Sequence, residues 1–130
     1  MAGDELLTHI TPAQRVEGER TAGMLRQQAI ATEAMWASVA FTEPGMTSGW
    51  HHHGDHETML YIVRGAMRLE FGPGGASVVE AGEGEFVHVP AHVIHRESNP
   101  AGETSTAVIA RSGSGVVTVN VDGPAQLSES

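Results

Sequence analysis

The chain has 130 residues, no cysteine, no lysine and a formal net charge of −9. The lack of cysteine excludes disulfides, thiolate ligands, iron–sulfur clusters and a cysteine nucleophile, and the lack of lysine excludes Schiff-base chemistry on a side-chain amine. The acidic balance argues against nucleic acid or an anionic membrane surface as the main partner, and the length fits one domain with a sizeable core.

Residues 1–7 lack the basic and apolar regions of a signal peptide, and no apolar run reaches bilayer-spanning length. A soluble, cytoplasmic protein is expected. Residues 1–19 are polar and mixed, with Pro12 and Gly18, and read as an N-terminal arm with a short helix near residues 11–15. Residues 20–122 form the single domain, and 123–130 a polar tail.

Within that domain, residues 24–30 fit strand or helix. From 35 to 42 the period is two: Met35, Ala37, Val39 and Phe41 alternate with Trp36, Ser38, Ala40 and Thr42. Glu43-Pro44-Gly45 ends this strand as a turn. Residues 58–63 read as a buried strand, and 66–71 alternate again after Arg64-Gly65, which predicts a hairpin. Further strands are predicted over 76–81, 85–89, 93–98, 104–111 and 116–121, separated by glycine- and proline-bearing turns. Short strands cut by such turns indicate an all-β sandwich or barrel.

Histidine is concentrated in one region. His51, His52, His53 and His56 lie together, His88, His92 and His95 follow, and only His9 lies elsewhere. Neutral imidazole and carboxylate suit a divalent transition metal. Alternate residues of an extended segment point the same way, so His51 and His53 can face one point while His52 turns away. A bend at Gly54 would bring Glu57 back to that point, and His95 is the best candidate for a ligand from a distant segment.

The arrangement resembles the cupin family, whose fold is a double-stranded β-helix, or jelly-roll barrel. The family's first motif is matched by Gly45, His51, His53, Glu57 and Gly65, and its second by Gly84, Pro90, His95 and Asn99. The resemblance covers residues 34–121. Two departures stand out. Seven residues separate Glu57 from Gly65 where the family has six, so Thr58 is the position in strict register with Gly65. A one-residue slip reverses side-chain direction in a strand, whereas a bulge would return Glu57 to the site; His56 shares the parity of Thr58 and is an alternative third ligand. Secondly, His92 stands where the family has a glycine, a position that often needs an unusual backbone conformation.

The resemblance implies that His51, His53, Glu57 and His95 hold one divalent transition metal ion inside the barrel, with one or two positions left open. Ligand type does not choose among Fe, Mn, Zn, Ni, Co and Cu. His56 is then the expected catalytic acid or base. The implied function is a metal-dependent enzyme, dioxygenase-like or a lyase or isomerase, acting on a small oxygenated organic molecule. The alternative is a non-catalytic cupin that binds a metal or small molecule as a sensor or store. A homodimer paired through sheet edges is expected. Of the other polar residues, Arg68, Arg96 and Arg111 lie in strands, and one that points inward would clamp a substrate carboxylate. Glu97 lies two residues after His95 and reads either as a partner that orients an imidazole or as merely exposed. Tyr61, Met35, Met46, Met59 and Met67 read as packing residues, and His88 as outward-facing.

Overall fold

Among the residues described by the computed structural model, 7–114 and 118–124, eleven strands form two antiparallel sheets. The first sheet runs β1 (Val16–Thr21), β2 (Met24–Ala31), β3 (Met35–Thr42), β10 (Ser105–Ser112), β5 (Thr58–Arg64) and β8 (Phe86–Val89). The second runs β11 (Val119–Asn120), β4 (His51–His52), β9 (His95–Ser98), β6 (Ala66–Phe71) and β7 (Ser77–Gly82). The stretch 24–30, ambiguous in sequence, is strand. The short helix near residues 11–15 is a single 3-10 turn, Pro12–Gln14. Strand structure begins at Val16, inside the expected arm, because residues 16–21 pair with β2. Of the strand expected over 116–121, residues 116 and 117 lie outside the described residues, and Val119–Asn120 pairs with β4. Among the described residues no helix is long and apolar enough to cross a membrane.

The core lies between the sheets, where Trp36, Leu60, Ile62 and Met67 are almost completely enclosed. Alternation along the strands decides which residues enter it. In β3 the buried set is Trp36, Ser38, Ala40 and Thr42. The more apolar set, Met35, Ala37, Val39 and Phe41, faces outward, and Met35 is 44% exposed rather than packed in the core as expected.

The hairpin expected from β5 to β6 does not form. β5 pairs with β10 and β8, while β6 pairs with β7 and β9 in the other sheet. Gly65 is the corner. Its φ of 83° lies in the left-handed region that favours glycine, and the Ser105 side chain occupies the space a Cβ would need. Ser105 Oγ accepts from Ala66 N at 3.0 Å and donates to Ala66 O at 2.7 Å, so the chain is fastened as it changes sheet. The true hairpin is β6–β7, with Met67 opposite Ala81.

Candidate metal centre

β4 and β9 are neighbours, and their register sets His51 directly opposite His95. Side chains of directly opposed residues in an antiparallel pair are close enough to touch. His53 lies two residues on from His51 and turns to the same side, while the Nδ1 of His52 accepts the Gly54 N–H at 3.0 Å. Three imidazoles therefore meet in the interior: His51 and His53 are each 5% exposed and His95 is 2% exposed. Their ring centroids are 4.4–5.2 Å apart, and one nitrogen from each ring lies within 4.8 Å of the other two.

Two of the rings are held by main-chain oxygens two residues back. His51 Nδ1 lies 2.9 Å from Gly49 O, and His95 Nδ1 lies 2.9 Å from Val93 O. A carbonyl oxygen only accepts, so each Nδ1 carries the proton and each Nε2 is left for the cluster. His95 Nε2 is buried with no hydrogen-bond partner. A buried nitrogen of this kind, facing two further imidazoles, fits a divalent transition ion by both donor type and burial.

The structure does not bring Glu57 to this cluster. Its side chain is 62% exposed, and its carboxylate lies 2.8 Å from His88 Nε2 on the outside. The cause is register. Thr58, Leu60 and Ile62 form the buried face of β5, with Thr58 opposite Arg111, so Glu57 precedes them with the opposite parity. No bulge intervenes between Glu57 and Thr58; instead Glu57 N bonds Ser112 Oγ, and Ser112 N bonds Glu57 O. His56 is also outside the cluster, its Nδ1 held by the Ser112 carbonyl. His92 takes a φ of 65°, the glycine-like conformation expected for its position, and its ring faces the exposed Asp55 at 2.6 Å.

The carboxylate nearest the imidazoles belongs to Glu97. It is 7% exposed, and its Oε2 lies 3.6 Å from His95 Nε2. It shares the face of His95, as alternate residues of β9 do. Burial raises its proton affinity. The close approach of the His95 ring outweighs this, together with the charges of His95, His51 and Arg26, and brings the Glu97 carboxyl down to about 2. Burial alone would lower His95, but the adjacent Glu97 carboxylate and its charge raise it above its usual value. For His51, burial prevails and the pKa falls.

Two arginines complete the interior. Arg111 points inward, with its guanidinium 4.7 Å above the Trp36 ring. Arg68 and Arg96 point out and pair with Glu80 and Glu70. Arg26 is the residue that sequence reasoning missed. It shares the buried face of β2 with Met24, and its Nη1 bonds Thr21 Oγ1 at 3.1 Å. A period-two reading carried through 24–30 would have placed Arg26 on the side of Met24.

Beside the cluster, a cavity of ≈ 230 Å³ is walled by Leu69, Phe71, Val87, Val89 and Val93, with His95 on its boundary. The arrangement combines a nitrogen-donor cluster, a buried carboxylate and an apolar chamber, as in many small-molecule sites.

No curated protein matches the sequence. Among solved structures, the chain is similar to KdgF from Halomonas sp., at 18% identity and a TM-score of 0.72, covering 83% of this chain and 94% of that one. It is similar to the polyketide cyclase RemF from Streptomyces resistomycificus at 17% identity and a TM-score of 0.74, covering 89% and 86%. It also resembles oxalate decarboxylase from Bacillus subtilis, a protein with Mn(II) centres, at 17% identity and a TM-score of 0.69. There it covers 79% of this chain but 29% of that one. At these identities the likeness concerns the fold. The cupin domain model matches residues 39–110, more than half of the sequence, and those residues carry all three clustered histidines in a two-sheet barrel: the chain belongs to the cupin family.

Proposed function

We propose that this protein is a metal-dependent enzyme with a single divalent transition ion held by His51, His53 and His95. It acts on a small oxygenated organic molecule taken into the adjoining cavity, by dioxygenase-like, lyase or isomerase chemistry. The observation that carries this reading is the meeting of three buried imidazoles within 4.8 Å, with the Nε2 of His95 left without a hydrogen-bond partner. Such an ion, when bound, would polarise substrate oxygens and keep positions open for them.

The remaining steps fall to the chain itself. Glu97 takes the place expected for Glu57 and His56 as the polar group beside the ligands. Its weak proton affinity suits it to balance charge and to orient a substrate hydroxyl rather than to act as a strong base. The apolar wall formed by Leu69, Val87 and Val89 excludes water and receives the hydrocarbon part of the substrate.

The outward face of the first sheet supports a homodimer. Phe86 is 68% exposed and packs at a tilt against Tyr61 with ring centroids 4.7 Å apart, and Val63 and Met35 are exposed on the same sheet. Apolar surface of this kind is commonly covered by a partner.

The test of the metal reading is elemental analysis of protein purified without nickel affinity, for wild type, His95→Ala and Glu57→Ala. Near-stoichiometric metal is expected in wild type and in Glu57→Ala, and its loss in His95→Ala. Absence of metal from wild type after loading with Mn(II), Fe(II) and Zn(II) in turn would refute the reading. Dioxygen consumption by the iron-loaded protein then separates oxygenase from lyase or isomerase chemistry.

A further inference from the structure

We infer that the substrate is a compact, mainly hydrocarbon molecule, the size of a single substituted ring, with its oxygen function at the end that meets His95. This rests on the metal-centre reading above and narrows it to a substrate class.

The cavity beside the cluster lies where the two sheets end. β7 is the last strand of the second sheet and β8 the last of the first, and both give walls to it: Val79 from β7, Val87 and Val89 from β8. β6 adds Leu69 and Phe71, and Val93 adds a further wall from the loop before β9. Register explains how these meet the cluster. Leu69 is opposite Val79, and Phe71 is opposite His95, so the apolar face of β6 leads up to the imidazole. Exposure gives the direction. Val79 is 37% exposed and marks the outer end, whereas His95, at 2%, marks the inner one. A molecule that enters past Val79 therefore meets hydrocarbon along its length and an imidazole only at its leading end.

The polar inventory of the walls is short. Besides His95 it holds His88, which is 62% exposed and turned outward, its Nε2 2.8 Å from the Glu57 carboxylate. The buried ionic side chains Arg26, Arg111 and Glu97 form no part of the lining. A molecule with an oxygen on every carbon would shed its hydration against valine, leucine and phenylalanine and gain no bonds in return. Hydrocarbon meets no such penalty and gains from leaving water. Water in the cavity would need two to four polar partners, which these walls do not offer. Size sets the other limit. An apolar cavity of about 150 Å³ holds benzene, so ≈ 230 Å³ admits one ring with a short substituent. Phe71 presents a ring edge or face to such an occupant.

The test compares phenol with erythritol, a molecule of similar size that carries an oxygen on every carbon. Binding is measured by calorimetry to wild type, Val79→Asp and Val87→Thr, each zinc-loaded and metal-free, with zinc content assayed on the same samples. Wild type should bind phenol at least about 10-fold more tightly than erythritol in both forms. Val79→Asp, which sets a charge at the partly exposed outer end, should weaken phenol binding by about 10-fold or more. Val87→Thr keeps the shape of the wall and changes only its polarity; it should weaken phenol binding about 3- to 10-fold and serves if Val79→Asp does not fold. Zinc content should be the same in all three proteins. Phenol binding that is undetectable, or that neither substitution changes, would overturn the inference. So would erythritol binding as tight as that of phenol. If zinc is not taken up and phenol binding still depends on Val79 and Val87, the hydrocarbon class of occupant stands and the metal reading alone fails.

Discussion

Glu97→Gln isolates the charge at the centre of the barrel with little change of shape. In the metal-free protein the Glu97 carboxyl is held at about 2, against 4.5 for the unperturbed group. At roughly 1.4 kcal/mol per unit, that difference corresponds to about 3 kcal/mol of stability at neutral pH. The folded-state value is depressed, so the contribution is fully present above the unfolded value of 4.5 and is lost as pH falls toward about 2. Thermal unfolding of metal-free wild type and Glu97→Gln should therefore differ by about 10 °C near pH 6, taking about 3–5 °C per kcal/mol for a domain of this size. The gap should narrow steadily as pH is lowered below 4.5. A second readout is His95. Burial alone lowers its pKa, and Glu97 reverses the sign, so an NMR titration should find the His95 pKa lower in the variant than in wild type. Equal melting temperatures at pH 6, or an unchanged His95 titration, would refute the assignment of Glu97 as the charge partner of the cluster.

Three further outcomes are expected. Asn99 is buried; its Nδ2 donates to Thr42 O and Glu103 O, both at 2.9 Å, and its Oδ1 accepts from Ala101 N and lies 3.0 Å from Ser105 Oγ. Asn99→Ala strands several of these groups and should cost about 2–4 kcal/mol in chemical denaturation without changing metal content. Gly65→Ala must adopt a left-handed conformation and displace Ser105, so it should cost about 2–4 kcal/mol, and a loss within 0.5 kcal/mol of zero would show that the corner can relax. Analytical ultracentrifugation should show a dimer of the 13.7 kDa chain, dissociated by Phe86→Glu; a wild-type monomer would remove the role given to the outward apolar face.

The strand content and the shared face of His51 and His53 were legible from spacing, whereas the convergence of His95 on them was legible through the resemblance to the cupin family. Period-two alternation survives without tertiary information, and a turn of fixed length returns a strand to a fixed register. The third-ligand question was not legible for a related reason. Whether Glu57 or Thr58 faces inward depends on a single residue of register between Gly54 and Gly65, and that is decided by pairing with β10, a strand some fifty residues away. The Gly65 corner was misread as a hairpin because a glycine turn between two strands has the same local sequence whether the strands pair or part. The pairing is set by Ser105, which lies far along the chain. The outward placement of Val39 and Phe41, and the inward placement of Ser38 and Arg111, run against hydrophobicity. Polar residues fill the inner face where it borders the site, so the usual rule for choosing the buried side of a strand fails there.

The partners that aim His51 and His95 are the carbonyls of Gly49 and Val93. Every amino acid supplies a carbonyl, so no side-chain replacement at position 49 or 93 deletes either acceptor; only a change in the path of the main chain would. The aim of these two rings is therefore insulated from substitution in the surrounding walls. Residues such as Leu69 and Val87 can be exchanged to reshape the cavity while the nitrogen donors keep their direction. A barrel built this way can change the shape of its cavity without rebuilding the histidine cluster beside it.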